Sequence, residues 1–282
     1  MSFKKFSEFI LFSSIFISLC AVALCMETNI LLGLPLNHFS FYCFVFGATL
    51  AQYNLHYFAK TVAVTGSQRQ AWSQNKKQLH LILLILGGAL ILFSFFSFHL
   101  KHFIILGCLG AISFLYSFPF LPFEKKRRIK DYGLLKILTI TLLWTLVTVW
   151  FPVNSMSVAN ELFLLIFFKR FVFMFVLCLL FDVRDMEIDS SDNINTLAVM
   201  IGKKRSYFLS YTLLFIFVVL SFVQYFYLPQ TGFLIAMLIS AAATFLTIEL
   251  TKKTNSDYIF LAGIDGMMLL QAILVFLFSL KQ

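Results

Sequence analysis

The sequence predicts an all-α polytopic membrane protein, a bundle of nine transmembrane helices, and three observations carry that expectation. Hydrophobic residues make up 60% of the 282-residue chain and charged residues 12%, with a mean hydropathy of +0.90; soluble domains carry about 25% charged residues. Apolar stretches long enough to cross a hydrocarbon core of about 30 Å recur along the whole chain. The positive charges between them alternate in density, as cytoplasmic and outer connections do.

The first stretch, residues 9–26, follows Lys4 and Lys5. No small-x-small site leads from it into a soluble domain, so it reads as a membrane helix and not as a signal peptide. The second, 39–58, is separated from the third, 79–97, by Lys60, Arg69, Lys76 and Lys77. Lys101 precedes the fourth, 102–119, and the basic run Lys125, Lys126, Arg127, Arg128 and Lys130 precedes the fifth, 134–151. The sixth, 160–182, leads through Arg184 and Lys203-Lys204-Arg205 to the seventh, 207–227. The eighth, 231–250, is followed by Lys252 and Lys253 and then by the ninth, 257–280. With the N-terminus inside, 17 of the 22 Lys and Arg residues fall in inner connections, against Lys101 and Lys281 outside. That bias predicts an integral protein of the cytoplasmic membrane, residues 1–282 forming a single domain.

The five cysteines lie within apolar stretches without a CxxC pair and read as buried small hydrophobes. The net charge of +9 is spread over the inner connections. Attraction to anionic lipid of the bilayer accounts for it, and no nucleic-acid partner is expected.

Five of the 13 acidic residues, Asp182, Asp185, Glu187, Asp189 and Asp192, crowd into eleven positions directly after the sixth apolar stretch. If that helix continues, Asp182, Asp185, Asp189 and Asp192 project within about 80° of one another, while Arg184 and Glu187 face elsewhere. Clustered carboxylates repel unless protons or cations intervene. Hard oxygen ligands suit Mg2+, which commonly bridges carboxylates to phosphate oxygens. A Mg2+–diphosphate site is therefore one reading, and a solvated polar cap helped by Ser190, Ser191 and Asn193 is the plainer one.

The stretch Asp182-Val183-Arg184-Asp185-Met186-Glu187-Ile188-Asp189, followed by Asn195-Thr196-Leu197 and Ile201-Gly202-Lys203-Lys204, resembles the second aspartate-rich motif of the UbiA superfamily of intramembrane prenyltransferases. Leu115-Tyr116-Ser117-Phe118-Pro119, Gly133-Leu134-Leu135-Lys136 and the nine-helix layout agree with it. The resemblance implies Mg2+-dependent transfer of a prenyl group from a polyprenyl diphosphate to an unidentified acceptor. Asp182, Asp185 and Asp189 would be the catalytic and metal-holding residues. Asn54, Lys60, Arg69, Tyr116, Lys136, Lys203 and Lys204 would be candidates for the diphosphate. The family's first motif, N-x-x-x-D-x-x-x-D, keeps only Asn54 here, because Phe58 and Val62 stand at the aspartate positions. That departure leaves open a single-metal enzyme in which Lys60 and Arg69 replace part of the missing charge, a prenyl-lipid or quinone binder without turnover, and a related lipid reaction.

Other polar residues admit two readings each. His56 is a general base or a polar anchor at a helix end, Lys136 a phosphate ligand or a snorkelling interfacial residue, and Tyr116 a motif residue or an interfacial anchor. Lys169, Arg170 and Asp265 lie deeper, where ionisable groups need a partner, and an Arg170–Asp265 pair between the sixth and ninth helices is expected. A small-molecule transporter also fits several helices with intramembrane charge, although the charged stretch lies at the membrane edge without an internal repeat.

Overall fold

The structure, a computed structural model, describes residues 3–59, 68–98, 100–117, 133–153, 159–191 and 194–280. Among them every regular element is helical. In chain order these are α1 (Phe3–Phe12), α2 (Ile15–Leu31), α3 (Phe39–Ala59), α4 (Gln68–Asn75), α5 (Lys77–Phe95), α6 (Leu100–Ser117), α7 (Gly133–Val153), α8 (Asn160–Ser191), α9 (Leu197–Ile201), α10 (Lys203–Tyr227), α11 (Thr231–Thr251) and α12 (Ile259–Ser279).

Each predicted stretch coincides with a helix, but the nine spans are not reproduced as nine. Among the described residues six helices, α5, α7, α8, α10, α11 and α12, have the length and apolarity of a span, and α1 with α2 makes a seventh only if the bent pair is one span. The first stretch is broken by a 60° bend. Ser14 at the break has φ 69°, a left-handed backbone that L-residues seldom adopt. Backbone groups freed within a membrane must find partners. Here Asn54 Nδ2 donates to the Ser13 carbonyl at 3.0 Å, and an Arg69 Nη donates to Ser14 Oγ at 3.0 Å.

Helices α2, α12, α11, α10, α8 and α7 pack in sequence around a ring that closes where α7 meets α2, and α3 lies against α2 with α5 on it. α3 and α5 approach closely because small residues face each other: a Cβ on Gly87 would stand 2.6 Å from the Gly47 carbonyl oxygen. α8 supplies the centre, with Phe173, Met174, Val176, Leu177, Leu179 and Leu180 all buried. The outside is apolar too: Phe208, Phe215 and Phe222, seven residues apart on one face of α10, are exposed. An inside and an outside that are both hydrocarbon match an integral membrane protein, where lipid replaces water around the bundle.

Two π turns bend the ring helices, Leu146–Trp150 in α7 and Ile259–Ile264 in α12. The first is held by α2, whose Thr28 Oγ1 donates to the Thr148 carbonyl at 2.7 Å. Of the cysteines, Cys20 and Cys25 are buried as expected and Cys108 is exposed, because it lies on a face of α6 that no described helix covers.

The expected Arg170–Asp265 pair does not form. Arg170 Nη2 lies 3.0 Å from Glu27 Oε2 of α2, and both side chains are fully enclosed. Lys169 is buried as well, hydrogen-bonded to Gln224 of α10. Asp265 sits instead where the charges of Arg69 and Arg184 act on it. α2 closes the ring from the other side and brings Glu27 to the guanidinium.

Candidate functional site

α8 runs on past residue 182 to Ser191, so the acidic residues continue its helical repeat. Asp182 and Asp189, two turns apart, share one face. Both are buried, 5% and 8% exposed, against the beginning of α7. α7 reaches them because it starts on Gly133. A Cβ there would lie 1.4 Å from the Asn195 carbonyl oxygen, so only glycine lets the chain beyond α8 cross the start of α7. That chain is pinned by Ile194 N–H donating to the Asp189 carbonyl at 2.8 Å and by Thr196, which caps α9 through its hydroxyl.

One turn into α7, Lys136 Nζ stands between the two acids, 2.9 Å from Asp182 Oδ1 and 3.3 Å from Asp189 Oδ2. Asp182 Oδ2, buried beside this ammonium, has no hydrogen-bond partner among the described residues. Asp185 does not join its neighbours around Lys136. It accepts a two-pronged pair of bonds from Arg184, at 2.7 Å to Oδ1 and 3.1 Å to Oδ2, the geometry in which a guanidinium binds a carboxylate best. Arg184, expected to face elsewhere, thus belongs to the site. It also lies 3.7 Å from Asp257 Oδ1 and over the rings of Phe181 and Phe260, at 5.0 and 5.2 Å. Asp257 Oδ2 in turn accepts the Arg69 backbone N–H at 2.9 Å. A chain of contacts therefore runs from α8 through Asp257, just before α12, to the backbone of α4.

The region of the lost first motif is built differently. Asn54 is wholly buried, and its amide nitrogen donates to the Ser13 and Leu50 carbonyls at 3.0 and 2.8 Å. With both amide hydrogens spent, its Oδ1 can only accept from His80 Nδ1, 2.6 Å away, which assigns the proton to that nitrogen. Tyr57 stacks on His80, and the Arg69 guanidinium lies 4.5 Å over the Tyr57 ring. Phe58, at the first aspartate position, is 39% exposed. Asn54 makes none of these bonds to Asp182, Asp185 or Asp189.

Of the expected site residues, Asp182, Asp189 and Lys136 come together directly, Asp185 belongs to the adjoining chain of contacts, and Arg69 joins that chain through its backbone N–H. Lys203 and Lys204 are exposed in the first turn of α10 and take no part in these bonds. Lys60, Val62 and Asp192 lie outside the described residues, as does the side chain of Tyr116 near the end of α6. His56, on the last turn of α3, is exposed and packs edge-on against Tyr57. Sequence reasoning missed Arg184, Asp257 and His80. His80 had one visible signal, a lone polar ring in an apolar run; Asp257 had none, since its partners Arg69 and Arg184 are remote in sequence.

Among the described residues no three His, Cys, Asp or Glu side chains converge closely enough to hold a metal by themselves. Mg2+ does not require that many: it commonly takes one or two protein carboxylates and completes its shell with water and substrate phosphate. Asp182 and Asp189, already converging on a cation and with Asp182 Oδ2 unpartnered, fit one such ion. At the positions where the resemblance would put the ligands of a second ion stand Phe58 and Val62, whose side chains carry no oxygen.

The sequence matches the profile of the UbiA prenyltransferase family over residues 73–263. The match begins beyond the degenerate first motif and contains the whole acidic stretch. No curated protein matches the sequence. Solved structures share the fold. A UbiA homolog from Archaeoglobus fulgidus superposes with a TM-score of 0.64 at 14% identity, covering 96% of this chain and 99% of that one. The same homolog bound to DMAPP and Mg2+ gives 0.58 at 13% identity, covering 98% and 99%. A digeranylgeranylglyceryl phosphate synthase gives 0.58 at 16% identity, covering 99% and 100%. An all-helical ring with its acids at the end of α8, and a profile match over about two thirds of the chain, lead to one assignment: this integral membrane protein belongs to the UbiA prenyltransferase family.

Proposed function

We propose that the protein transfers a prenyl group from a prenyl diphosphate to an acceptor within the membrane, using a single Mg2+ held by Asp182 and Asp189. The observation that carries this reading is the convergence of those two buried carboxylates on one cation position, with an oxygen of Asp182 left over. It is supported by the family and by the solved homolog bound to DMAPP and Mg2+. Placing this end of the bundle on the cytoplasmic side rests on the Lys and Arg distribution alone.

When bound, the metal ion neutralises charge on the departing diphosphate and so eases heterolysis of the allylic C–O bond. The chain's own residues do the rest. Asp182 and Asp189 fix the cation position, and Gly133 and Thr196 hold the backbone that sets it. Lys136 and Arg184 present positive charge beside the acids, and Asp185 has a guanidinium partner that a phosphate oxygen can also engage. Once the C–O bond has broken, the prenyl cation is captured by an acceptor nucleophile, which loses its proton.

Protein with Mg2+ and a series of prenyl diphosphates should release inorganic diphosphate, and Asp182→Asn and Asp189→Asn should each lower the rate on the order of 100-fold or more. A second reading, prenyl-lipid binding without turnover, is favoured by the complete commitment of Asn54 to protein partners. Saturable prenyl-lipid binding with no diphosphate release across the series would establish it in place of transfer.

A further inference from the structure

At the end of α8 the two cations that touch the acids are both shared between carboxylates. Lys136 is shared by Asp182 and Asp189, and Arg184 is spread over Asp185 and Asp257. Both cations are partly exposed, each with its side chain 21% accessible, although the acids they neutralise at closest range are, in the case of Asp182 and Asp189, nearly enclosed. Two monovalent cations therefore serve four carboxylates, and one divalent ion carries the same charge as the two together.

We infer that Lys136 and Arg184 are internal counter-cations of Asp182, Asp185 and Asp189, displaced when one divalent ion binds and transferred to the diphosphate that arrives with it. This rests on the metal-dependent reading above and adds to it how a chain without the first aspartate motif manages its charge. One divalent ion replaces the charge of the two side chains on the acids. The two freed cations then supply, opposite the phosphates, the charge that a second metal would bring. Geometry supports the exchange. Lys136 is on a flexible four-carbon stem, so its ammonium can swing away from Asp182 and Asp189. Arg184 keeps a seat when it leaves Asp185, because the Phe181 and Phe260 rings lie 5.0 and 5.2 Å from the guanidinium and Asp257 holds one of its nitrogens at 3.7 Å. Its other edge is then open to a phosphate oxygen. Asp182 Oδ2, enclosed and without a hydrogen-bond partner among the described residues, is an oxygen the metal gains once Lys136 moves aside.

The exchange makes metal and diphosphate mutually dependent. Metal alone must displace cations that have nowhere better to go, and diphosphate gives them that place, so each ligand strengthens the other by the same factor. The test measures Mn2+ bound to the purified full-length protein without diphosphate, from the electron paramagnetic resonance signal of free Mn2+. It then measures retention of a radiolabelled prenyl thiolodiphosphate at saturating Mn2+. In both Lys136→Met and Arg184→Met, Mn2+ alone should bind about tenfold more tightly than in the wild type, because a competing charge is gone. The thiolodiphosphate should bind about tenfold more weakly, because its cation is gone as well. Opposite signs on the two ligands are not produced by loss of packing. If the wild type retains the thiolodiphosphate with Mn2+ but neither variant binds Mn2+ more tightly, the exchange is overturned while the functional reading stands. If the wild type retains neither ligand, both are overturned.

Discussion

α8 carries two ion-pair sites about 18 Å apart along its axis, and they are built on opposite plans. At Arg170 one guanidinium meets one carboxylate, Glu27, at 3.0 Å, with both side chains sealed inside the ring. Glu27 Oε1 and Arg170 Nη1 have no hydrogen-bond partner among the described residues, so the pair is held by attraction in a medium of low dielectric. At Asp182 and Asp189 one ammonium is divided between two acids, and it remains partly exposed. The difference separates a structural charge from an exchangeable one. A sealed one-to-one pair between α2 and α8 locks the ring and offers nothing to a ligand, whereas a shared and accessible cation can be replaced without opening the bundle.

The largest effect should come from breaking the sealed pair. Arg170→Ala leaves Glu27 charged and alone, and removing one partner of a buried pair costs about 3–5 kcal/mol. A fall in thermal midpoint should show it, and Glu27→Leu with Arg170→Leu together should recover most of the loss, because a packed apolar pair avoids the desolvation cost. If the single and double variants are equally destabilised, the pair is not what closes the ring there. The next effect sharpens the other side of the comparison. Gly133→Ala forces the start of α7 away from Asn195 and with it Lys136 from the acids. Misplacement of about 1 Å can cost on the order of 100-fold in rate, so prenyl transfer should fall far more than the thermal midpoint does; an unchanged rate would show that the register of α7 does not matter to the site. The smallest effect belongs to an exposed pair. Lys252 and Glu249 lie 2.8 Å apart on α11 and its C-terminal edge, and Lys252→Ala should leave both midpoint and rate where they are, since exposed pairs contribute little.

Much of the architecture was legible because membrane helices are written locally. A run of apolar residues such as 231–250 needs no knowledge of its neighbours to be recognised, and Thr231–Thr251 is the helix found there. The bend at Ser14 was not legible. It depends on Asn54 and Arg69, which arrive from α3 and α4 to hold the exposed backbone and hydroxyl. In the site, the acids and their placement at the end of α8 could be read from spacing. That Asp185 would turn to Arg184, its chain neighbour, while Asp182 and Asp189 turned to Lys136 could not be read from a helical wheel, which gives direction but no partner.

The sequence by itself determined that this chain is built of apolar helices suited to a bilayer and that its acids gather at the end of one of them. Those properties are sums over adjacent residues, and adjacency is what a sequence contains. Only the tertiary structure decided which cation answers which acid. Arg170 found Glu27 and not Asp265, and Arg184 came within reach of Asp257, because ion pairing is settled by the rotation and neighbours of whole helices. In a medium that punishes every unpaired charge, the ring's order around α8 fixed those choices.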